Sequence, residues 1–344
     1  MMHDDKILAA SLTHPIVPLP KDQLYRYGTA GFRMNADLLD GVTFRVGLLA
    51  SLRSRKMLGQ PVGVMITASH NPAVDNGVKI VDPTGEMLDP DWEKYATSLV
   101  NASSDEELVK IYNKLAADLK VTLSNSAKVI YGRDTRPSGH KLATALSDAL
   151  VATDTEPVDY KILTTPQLHY LTRASTYEGT PNAYGKVSEE GYYEKLATAF
   201  VRAMKNKKIE GSLVVDCANG VGGPKLTEFL KHIPKDQVAF DVKVVNDDVL
   251  RPEVLNLDVS AYWTILRGPF SDDLSAAPIT SKPNRELRHL LNLRLAFDAA
   301  RSTATLTVLC TTGWTLRLAL SCWTATVFRL WPLRSLASLS RAPA

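Results

Sequence analysis

The chain has 344 residues, enough for two or three domains, and its hydrophobic content of 45% and charged content of 22% are ordinary for a globular protein. A net charge of +3 argues against nucleic acid or an acidic membrane surface as a partner. The three cysteines lack CxxC spacing, which argues against a zinc site and for reduced thiols in the cytoplasm.

Neither a signal peptide nor a membrane helix is expected. The first ten residues include Asp4, Asp5 and Lys6 and lack the apolar core of a signal peptide. The most apolar stretch, 302–333, is interrupted by arginines, and its uncharged runs are shorter than the roughly 20 residues that a membrane helix needs. We therefore expect a soluble, cytoplasmic protein without a membrane partner. The sequence does not indicate its oligomeric state.

The first 258 residues predict strands that alternate with helices. Alternating or short continuous apolar runs indicate strands at 62–66, 129–131, 213–215 and 242–245. Amphipathic helices follow the second and third of these strands, with their apolar faces formed by Leu142, Ala145, Leu146 and Leu150 and by Leu226, Phe229 and Leu230. Strands separated by such helices predict an α/β fold, in which the loops after the strands carry the chemistry.

The composition divides the chain into three regions. Gly179, Pro181 and Gly185 stand in a segment with few apolar residues, which indicates a domain boundary, placed at residue 182. From residue 259 the composition changes: no lysine follows Lys282, and only two acidic residues do. These features predict regions at 1–182, 183–258 and 259–344, and the last is not expected to form a packed domain.

The hexapeptide Thr67–Pro72, TASHNP, is the sharpest motif. Ser69 leaves the predicted strand beside the small Ala68, so a substrate can approach it, and Asn71-Pro72 turns the chain away. Side chains of adjacent residues diverge, which disfavours a Ser69–His70 hydrolase dyad and favours a phosphoserine carrier. On the hexapeptide alone, a turn with an idle His70 is an equal alternative.

Three other segments offer groups that bind phosphate. The segment 27–33 combines two glycines with Arg33, a bidentate donor. Lys79 follows Ser69 closely and offers a point charge. Arg133 and Arg136 lie between a predicted strand and a predicted helix, whose N-terminus would add to a phosphate clamp. Taken singly, each segment is a weak signal: a surface turn also explains the segment 27–33 and the pair Arg133 and Arg136, and a solvated side chain is the favoured explanation of Lys79.

Taken together, the motifs GTAGFR, TASHNP and GRDTR resemble the α-D-phosphohexomutase superfamily. Within this superfamily, the phosphoacetylglucosamine mutase branch is the most similar in the sequences YGTAGFR, NGVKIVDPTGEML and VDCANG and in the segment Leu163–Tyr170. The resemblance covers about residues 22–258. It implies layered α/β domains: a complete first domain at 1–182, the start of a second at 183–258, and then a poorly ordered, aberrant tail at 259–344.

The resemblance also implies a role for each matched residue. Ser69 would carry the phosphoryl group and contact Mg²⁺ through its phosphate. The other catalytic residues would be Arg33, His70 and Lys79, whereas substrate or phosphate would be bound by Asn71, Arg133 and Arg136. The implied substrate is a hexosamine phosphate: N-acetylglucosamine 6-phosphate and 1-phosphate would be interconverted through a bisphosphate intermediate, towards UDP-N-acetylglucosamine. Such transfers depend mainly on positioning and on charge neutralisation.

The sequence departs from the superfamily in its last third. The magnesium loop, DGDADR, would supply three carboxylates to one cation, and it is absent, as are the later domains. A second reading frame joins the third base of each codon to the first two bases of the next. Codons for residues 297–308 permit RCCSFDGDADR in this frame, and codons for residues 321–328 permit LLDGDRI. Val259-Ser260 can be encoded by a splice-donor sequence. The simplest explanation is a retained intron after Asp258, followed by coding sequence read out of frame; a sequencing or gene-model error would give the same pattern.

Three functions therefore stay open. The favoured one is a phosphoacetylglucosamine mutase whose front part is intact, with this chain inactive as written. A phosphoglucomutase or phosphomannomutase is the enzyme alternative. The third is a non-catalytic phosphosugar-binding fragment or a regulatory protein, in which the arginines of the tail would contact a membrane or a partner. Their spacing gives no sustained helical stripe, which disfavours the regulatory protein.

Overall fold

The computed structural model describes residues 3–20, 23–204, 212–235, 241–256 and 307–309. The helices are Asp4–Ser11 (α1), Asp40–Lys56 (α2), Pro90–Val100 (α3), Asp105–Asp118 (α4), Gly139–Ala152 (α5), Thr165–Thr176 (α6), Glu189–Met204 (α7) and Gly222–Lys231 (α8). The strands are Phe32–Asn35 (β1), Val62–Ile66 (β2), Asp75–Val81 (β3), Lys128–Arg133 (β4), Glu156–Ile162 (β5), Ser212–Asp216 (β6), Asp241–Val245 (β7) and Thr307–Leu309 (β8).

The first sheet has five strands in the order β1-β3-β2-β4-β5. β2, β4 and β5 are parallel, whereas β3 runs antiparallel to both β1 and β2. Because β2 and β4 are parallel and adjacent, the loops that follow them lie at the same edge of the sheet. The two motifs TASHNP and GRDTR occupy those loops, so the topology brings them together.

Apolar residues of β2 point alternately to two cores, as the period of a strand requires. Val62, Val64 and Ile66 belong to the core that contains residues of α2 and α5. Met65 belongs to a second core, on the side of Leu168 and Leu171 of α6. The sheet is therefore covered by helices on both faces, and the predicted α/β fold is confirmed.

The second sheet consists of β7, β6 and β8, all parallel. Its helix, α8, packs Phe229 with Tyr193 and Phe200 of α7. The predicted strands at 213–215 and 242–245 and the helix around Phe229 are present. Of the tail predicted to form no packed domain, the structure describes only Thr307–Leu309, and its remaining residues, 259–306 and 310–344, lie outside the described part.

Lys79 lies inside β3. The segment Asp75-Asn76-Gly77 has the composition of a turn, yet it forms the first part of this strand, and Gly77 pairs with Arg33 of β1. A Cβ on Gly77 would lie 2.8 Å from the backbone oxygens of Phe32 and Thr67, so the glycine permits a close approach of the neighbouring chain segments.

Candidate functional site

The loop after β2 holds Ser69 in an unusual backbone conformation. Its φ angle is 59°, which is uncommon for a residue other than glycine. Its N–H donates to the hydroxyl of Thr67 at 3.1 Å, and the N–H of Asn71 donates to the carbonyl of Ala68 at 3.2 Å. Ser69 is buried, with 7% of its surface exposed. The loop is therefore a defined turn that bends the chain sharply at the serine.

Arg136, from the loop after β4, donates hydrogen bonds to the backbone of this turn. Its guanidinium forms a buried ion pair with Asp134. Its Nη2 donates to the carbonyl oxygens of Ser69 and Asn71, at 3.2 and 2.6 Å, and its Nε donates to the carbonyl of Asp75 at 2.8 Å. Every described nitrogen of this guanidinium thus contacts the protein, which makes Arg136 a support for the serine loop.

Arg33 and Arg136 give the surroundings of Ser69 and His70 a positive potential. Burial lowers the pKa of Arg33, and the nearby charge of Arg136 lowers it further, while Asp75 opposes both. The pKa of His70 is also lowered, first by burial and then by the charges of Arg33 and Arg136. The Nε of Arg33 is buried and has no hydrogen-bond partner among the residues that the structure describes. An anion at Ser69 would offset the mutual repulsion of these cations.

The remaining predicted site residues lie around the same turn or near it. Asn71 donates from Nδ2 to Asp75 Oδ2 at 2.9 Å, which closes the turn. Lys79, half-buried, lies opposite Met65 in the pairing of β3 with β2. Arg133 ends β4, and its Nη1 lies 3.4 Å from Asp159 Oδ1. Arg133 is therefore oriented partly towards β5.

The glycines of segment 27–33 serve a turn. Gly28 and Gly31 exchange backbone hydrogen bonds, with Gly31 N–H to Gly28 O at 2.7 Å and Gly28 N–H to Gly31 O at 3.3 Å. Gly31 has a φ of 77°, and a Cβ there would lie 2.2 Å from the carbonyl oxygen of Val78. The N–H groups of both glycines are therefore bonded within the turn, which leads into β1 and Arg33.

The described residues do not by themselves fit a magnesium ion. None of their His, Cys, Asp and Glu side chains form a group of three or more that could hold a metal. The acids of the serine loop region are already bound: Asp134 by Thr67 and Arg136, and Asp75 by Asn71. The DGDADR carboxylates expected from the resemblance have no counterpart within the described segments.

One residue that contacts the serine loop is not predicted by the sequence motifs. Asn256 lies 187 positions from Ser69 in the chain, yet its Nδ2 donates to the carbonyl oxygen of Ser69 at 3.0 Å. No local pattern predicts such a contact, because a lone asparagine after Leu255 has the composition of an ordinary turn. Only the packing of the second region against the first reveals it.

Comparison with known proteins identifies the family of the chain. Residues 49–107 and 99–182 match the model of "Phosphoglucomutase/phosphomannomutase, alpha/beta/alpha domain I". Residues 183–281 match that of "Phosphoacetylglucosamine mutase AMG1, domain II". The two matches together span more than half of the sequence. The chain belongs to the phosphohexomutase superfamily.

Individual relatives within this superfamily include phosphoacetylglucosamine mutases. The phosphoacetylglucosamine mutase of Candida albicans is 46% identical over 262 residues, covering 72% of this chain and 47% of that protein. The Aspergillus fumigatus N-acetylphosphoglucosamine mutase in complex with GlcNAc-6P and magnesium is 52% identical, with a TM-score of 0.68 over 74% of this chain and 46% of that one. Its S69A variant in complex with glucose 1,6-bisphosphate gives a TM-score of 0.70 over the same shares. The chain spans about half the length of the relatives it matches.

Among the described helices, none is both long and apolar enough to cross a membrane. The longest, Asp40–Lys56, has 17 residues and carries three arginines.

Proposed function

We propose that this chain is the phosphoryl-carrying front half of a phosphoacetylglucosamine mutase, with Ser69 as the phosphoryl carrier. The observation that carries the proposal is the fixed turn at Ser69, supported by Arg136 and flanked by Arg33 and His70. The substrate would be a hexosamine phosphate, interconverted between its 6-phosphate and 1-phosphate in the cytoplasm. The relatives named for N-acetylglucosamine phosphate support this substrate.

The charges around Ser69 suit a residue that alternates between hydroxyl and phosphate. A serine phosphate carries close to two negative charges. The positive field of Arg33 and Arg136 at His70 would stabilise that phosphate and the second phosphate that must approach it. Lys79, Asn71 and Arg133 are proposed as further contacts for phosphate or substrate. Arg136 would act through the loop, since its donors are bound to backbone carbonyls.

His70 is suited to a proton-handling or hydrogen-bonding role in its neutral form. Burial and two neighbouring guanidinium groups lower its pKa, so it is uncharged near neutral pH. A phosphate on Ser69 would act in the opposite direction and raise the pKa of His70. The imidazole could therefore take up a proton as the phosphoryl group arrives and release it as the group leaves.

We propose a magnesium site only for a chain that contains the carboxylate loop of the superfamily, DGDADR. A relative binds magnesium together with GlcNAc-6P. In this chain, Ser69 would supply one ligand through its phosphate, and the described residues supply no set of carboxylates to complete the site. We therefore propose that the chain as written does not catalyse the full reaction.

A phosphoglucomutase or phosphomannomutase is the second candidate, favoured by the match of the first domain alone. The match of residues 183–281 to a domain of phosphoacetylglucosamine mutase supports the first candidate. The two are distinguished by a full-length version in which the alternative frame after Asp258 is restored. A preference for N-acetylglucosamine 6-phosphate over glucose 6-phosphate and mannose 6-phosphate supports the first, and the reverse preference supports the second.

The role of Ser69 can be tested in a chimera. Residues 1–256 of this chain would be joined to the corresponding C-terminal half of the Aspergillus fumigatus relative. In an active chimera, Ser69→Ala should lower turnover by about 10³-fold or more, because no other group can carry the phosphoryl group. The exposed Ser126 offers a matched control, since Ser126→Ala removes a hydroxyl far from the loop. Full activity of the Ser69→Ala chimera would refute the assignment.

A further inference from the structure

Asn256 connects the second region of the chain to the serine loop. Its Nδ2 lies 3.0 Å from the carbonyl oxygen of Ser69 and 2.9 Å from that of Asn71. The residue is buried, with 6% of its surface exposed. These are the same two carbonyl oxygens that receive Nη2 of Arg136. Each carbonyl therefore accepts from one donor of each region.

The contacts fix the orientation of the Asn256 amide. A carboxamide turned by 180° would place its own oxygen against two carbonyl oxygens and lose both hydrogen bonds. In the orientation present, Oδ1 is buried and has no hydrogen-bond partner among the described residues. Leaving that acceptor unsatisfied is unfavourable. The amide therefore keeps both hydrogen bonds from Nδ2 to the serine loop, although its Oδ1 has no partner among the described residues.

The backbone of Asn256 is held independently of its side chain. Its N–H donates to the carbonyl of Ala218 at 3.0 Å, in the loop that follows β6. Asn256 has a φ of 56°, and Ala218 has a φ of 49°. The residue thus joins the loop after β6, in the second sheet, to the loop after β2, in the first.

The serine loop needs such external support. Ser69 has a φ of 59°, and a non-glycine residue keeps this conformation only where its surroundings enforce it. Within the first region, Arg136 holds the two carbonyls with a single nitrogen, so its hydrogen bonds are shared between two acceptors. A second donor on the same carbonyls, from another part of the chain, restricts rotation of both peptide groups.

We propose that Asn256 is a positioning residue for the phosphoryl carrier, through which the second domain sets the backbone conformation of the serine loop. It acts on the carbonyls of Ser69 and Asn71 and does not touch the substrate. The role in catalysis rests on the proposed function, since it concerns Ser69 as the carrier. The conformational role does not, and it can be measured without phosphoryl transfer.

The test compares Asn256→Gly with Asn246→Gly in the full 344-residue chain. Both asparagines have a positive φ, of 56° and 50°, so glycine is tolerated by the backbone at either position. The side chain of Asn246 donates to Asp216 at 2.9 Å and does not contact the serine loop, which makes it the matched control. Two signals report on the loop: hydrogen exchange of the Ser69 and Asn71 amides, and the ¹⁵N shift of the His70 amide, whose peptide group contains the carbonyl of Ser69.

With Asn256→Gly, exchange of the Ser69 and Asn71 amides should become about tenfold faster, and the His70 ¹⁵N signal should move, while amides in α2 stay unchanged. Asn246→Gly should leave both loop signals as in the unaltered chain. Loop signals in Asn256→Gly that equal those of the control would overturn the proposal. A general loss of structure would be recognised by faster exchange throughout α2.

Asn256→Asp decides the case in which the glycine variant fails to fold. Aspartate has the same shape and tolerates a positive φ, but it replaces the donating nitrogen by an oxygen that faces two carbonyls. The same loop signals should change; unchanged signals in this variant would overturn the proposal. A chain in which Ser69 never accepts a phosphoryl group would refute the proposed function and leave this result standing.

Discussion

The hydroxyl of Thr67 donates to the carboxylate of Asp134 at 2.6 Å and so joins the ends of two adjacent parallel strands, β2 and β4. The same hydroxyl accepts the N–H of Ser69 at 3.1 Å. Asp134 in turn forms a buried ion pair with Arg136. The serine loop and the loop after β4 therefore form one hydrogen-bonded network, in which the removal of one member leaves another unsatisfied.

The first prediction concerns Arg136 in this network. Arg136→Met should lower the free energy of unfolding by about 3 kcal/mol or more, because it leaves the buried carboxylate of Asp134 without its partner. Urea unfolding at neutral pH measures the change. Lys186→Met is the control: it removes an exposed ion pair with Glu194, so it should cost about 1 kcal/mol or less. Equal effects of the two substitutions would contradict the role of the buried pair.

The second prediction concerns the titration of His70. NMR should give a pKa below the usual value of about 6.5, because burial and the charges of Arg33 and Arg136 disfavour the imidazolium. Arg33→Gln should raise that pKa, and so should a phosphate on Ser69. The distant Lys114→Gln should leave it unchanged. If the pKa of His70 were the same in Arg33→Gln as in the unaltered chain, the two side chains would not interact.

The lowered pKa also fixes the sign of the pH dependence. Between the folded-state pKa of His70 and about 6.5, the unfolded chain binds more protons than the folded one at this residue. The contribution of His70 to stability is therefore present above about pH 6.5 and is lost as the pH falls through this window. Replacing His70 by Gln should reduce that part of the pH dependence in unfolding experiments.

The third prediction concerns Gly63 in β2. A Cβ at this position would lie 2.5 Å from Thr172 Oγ1 and 3.0 Å from the Cβ of Val81, so Gly63→Val should force α6 away from the sheet. We expect a loss of about 2 kcal/mol or more in the free energy of unfolding. Gly28→Val is the control, because no atom lies within 4 Å of the Cβ it would introduce. A stable Gly63→Val variant would mean that α6 packs less closely than described.

The fourth prediction concerns the activity of the chain as written. The purified 344-residue chain should not convert N-acetylglucosamine 6-phosphate when magnesium and a sugar bisphosphate are supplied. In the proposed reaction two phosphates meet at Ser69, and their repulsion in a cleft of low dielectric is large without the carboxylate loop that would hold a cation. Restoring the alternative frame after Asp258, together with the rest of the gene, should bring activity back.

Two results would contradict this fourth prediction. Turnover by the unmodified chain, abolished by Ser69→Ala, would show that the front domains suffice. Genomic DNA across codons 255–330 provides the other test, because it either contains the DGDADR frame or does not. A shifted frame that does not encode DGDADR would remove the explanation by a retained intron.

The sequence by itself determined the layered α/β fold of the first 256 residues and the superfamily. Strands at 62–66, 129–131, 213–215 and 242–245 were predictable because their apolar patterns are local and repeat with the period of a strand. The motif TASHNP predicts Ser69 as the phosphoryl carrier for the same reason, since the motif consists of six consecutive residues. Short motifs after parallel strands also predict that GRDTR lies beside it.

Tertiary structure alone decided how these pieces act on one another. It showed that β3 runs antiparallel between β1 and β2, that Arg136 binds the serine loop through its backbone, and that Asn256 reaches the same carbonyls from 187 positions away. These facts depend on which atoms meet after distant segments pack. Every residue has a backbone carbonyl, so the type of a residue does not indicate whether its carbonyl accepts a hydrogen bond from a distant side chain. Local patterns encode elements, whereas contacts between elements are set by the packing of the whole chain.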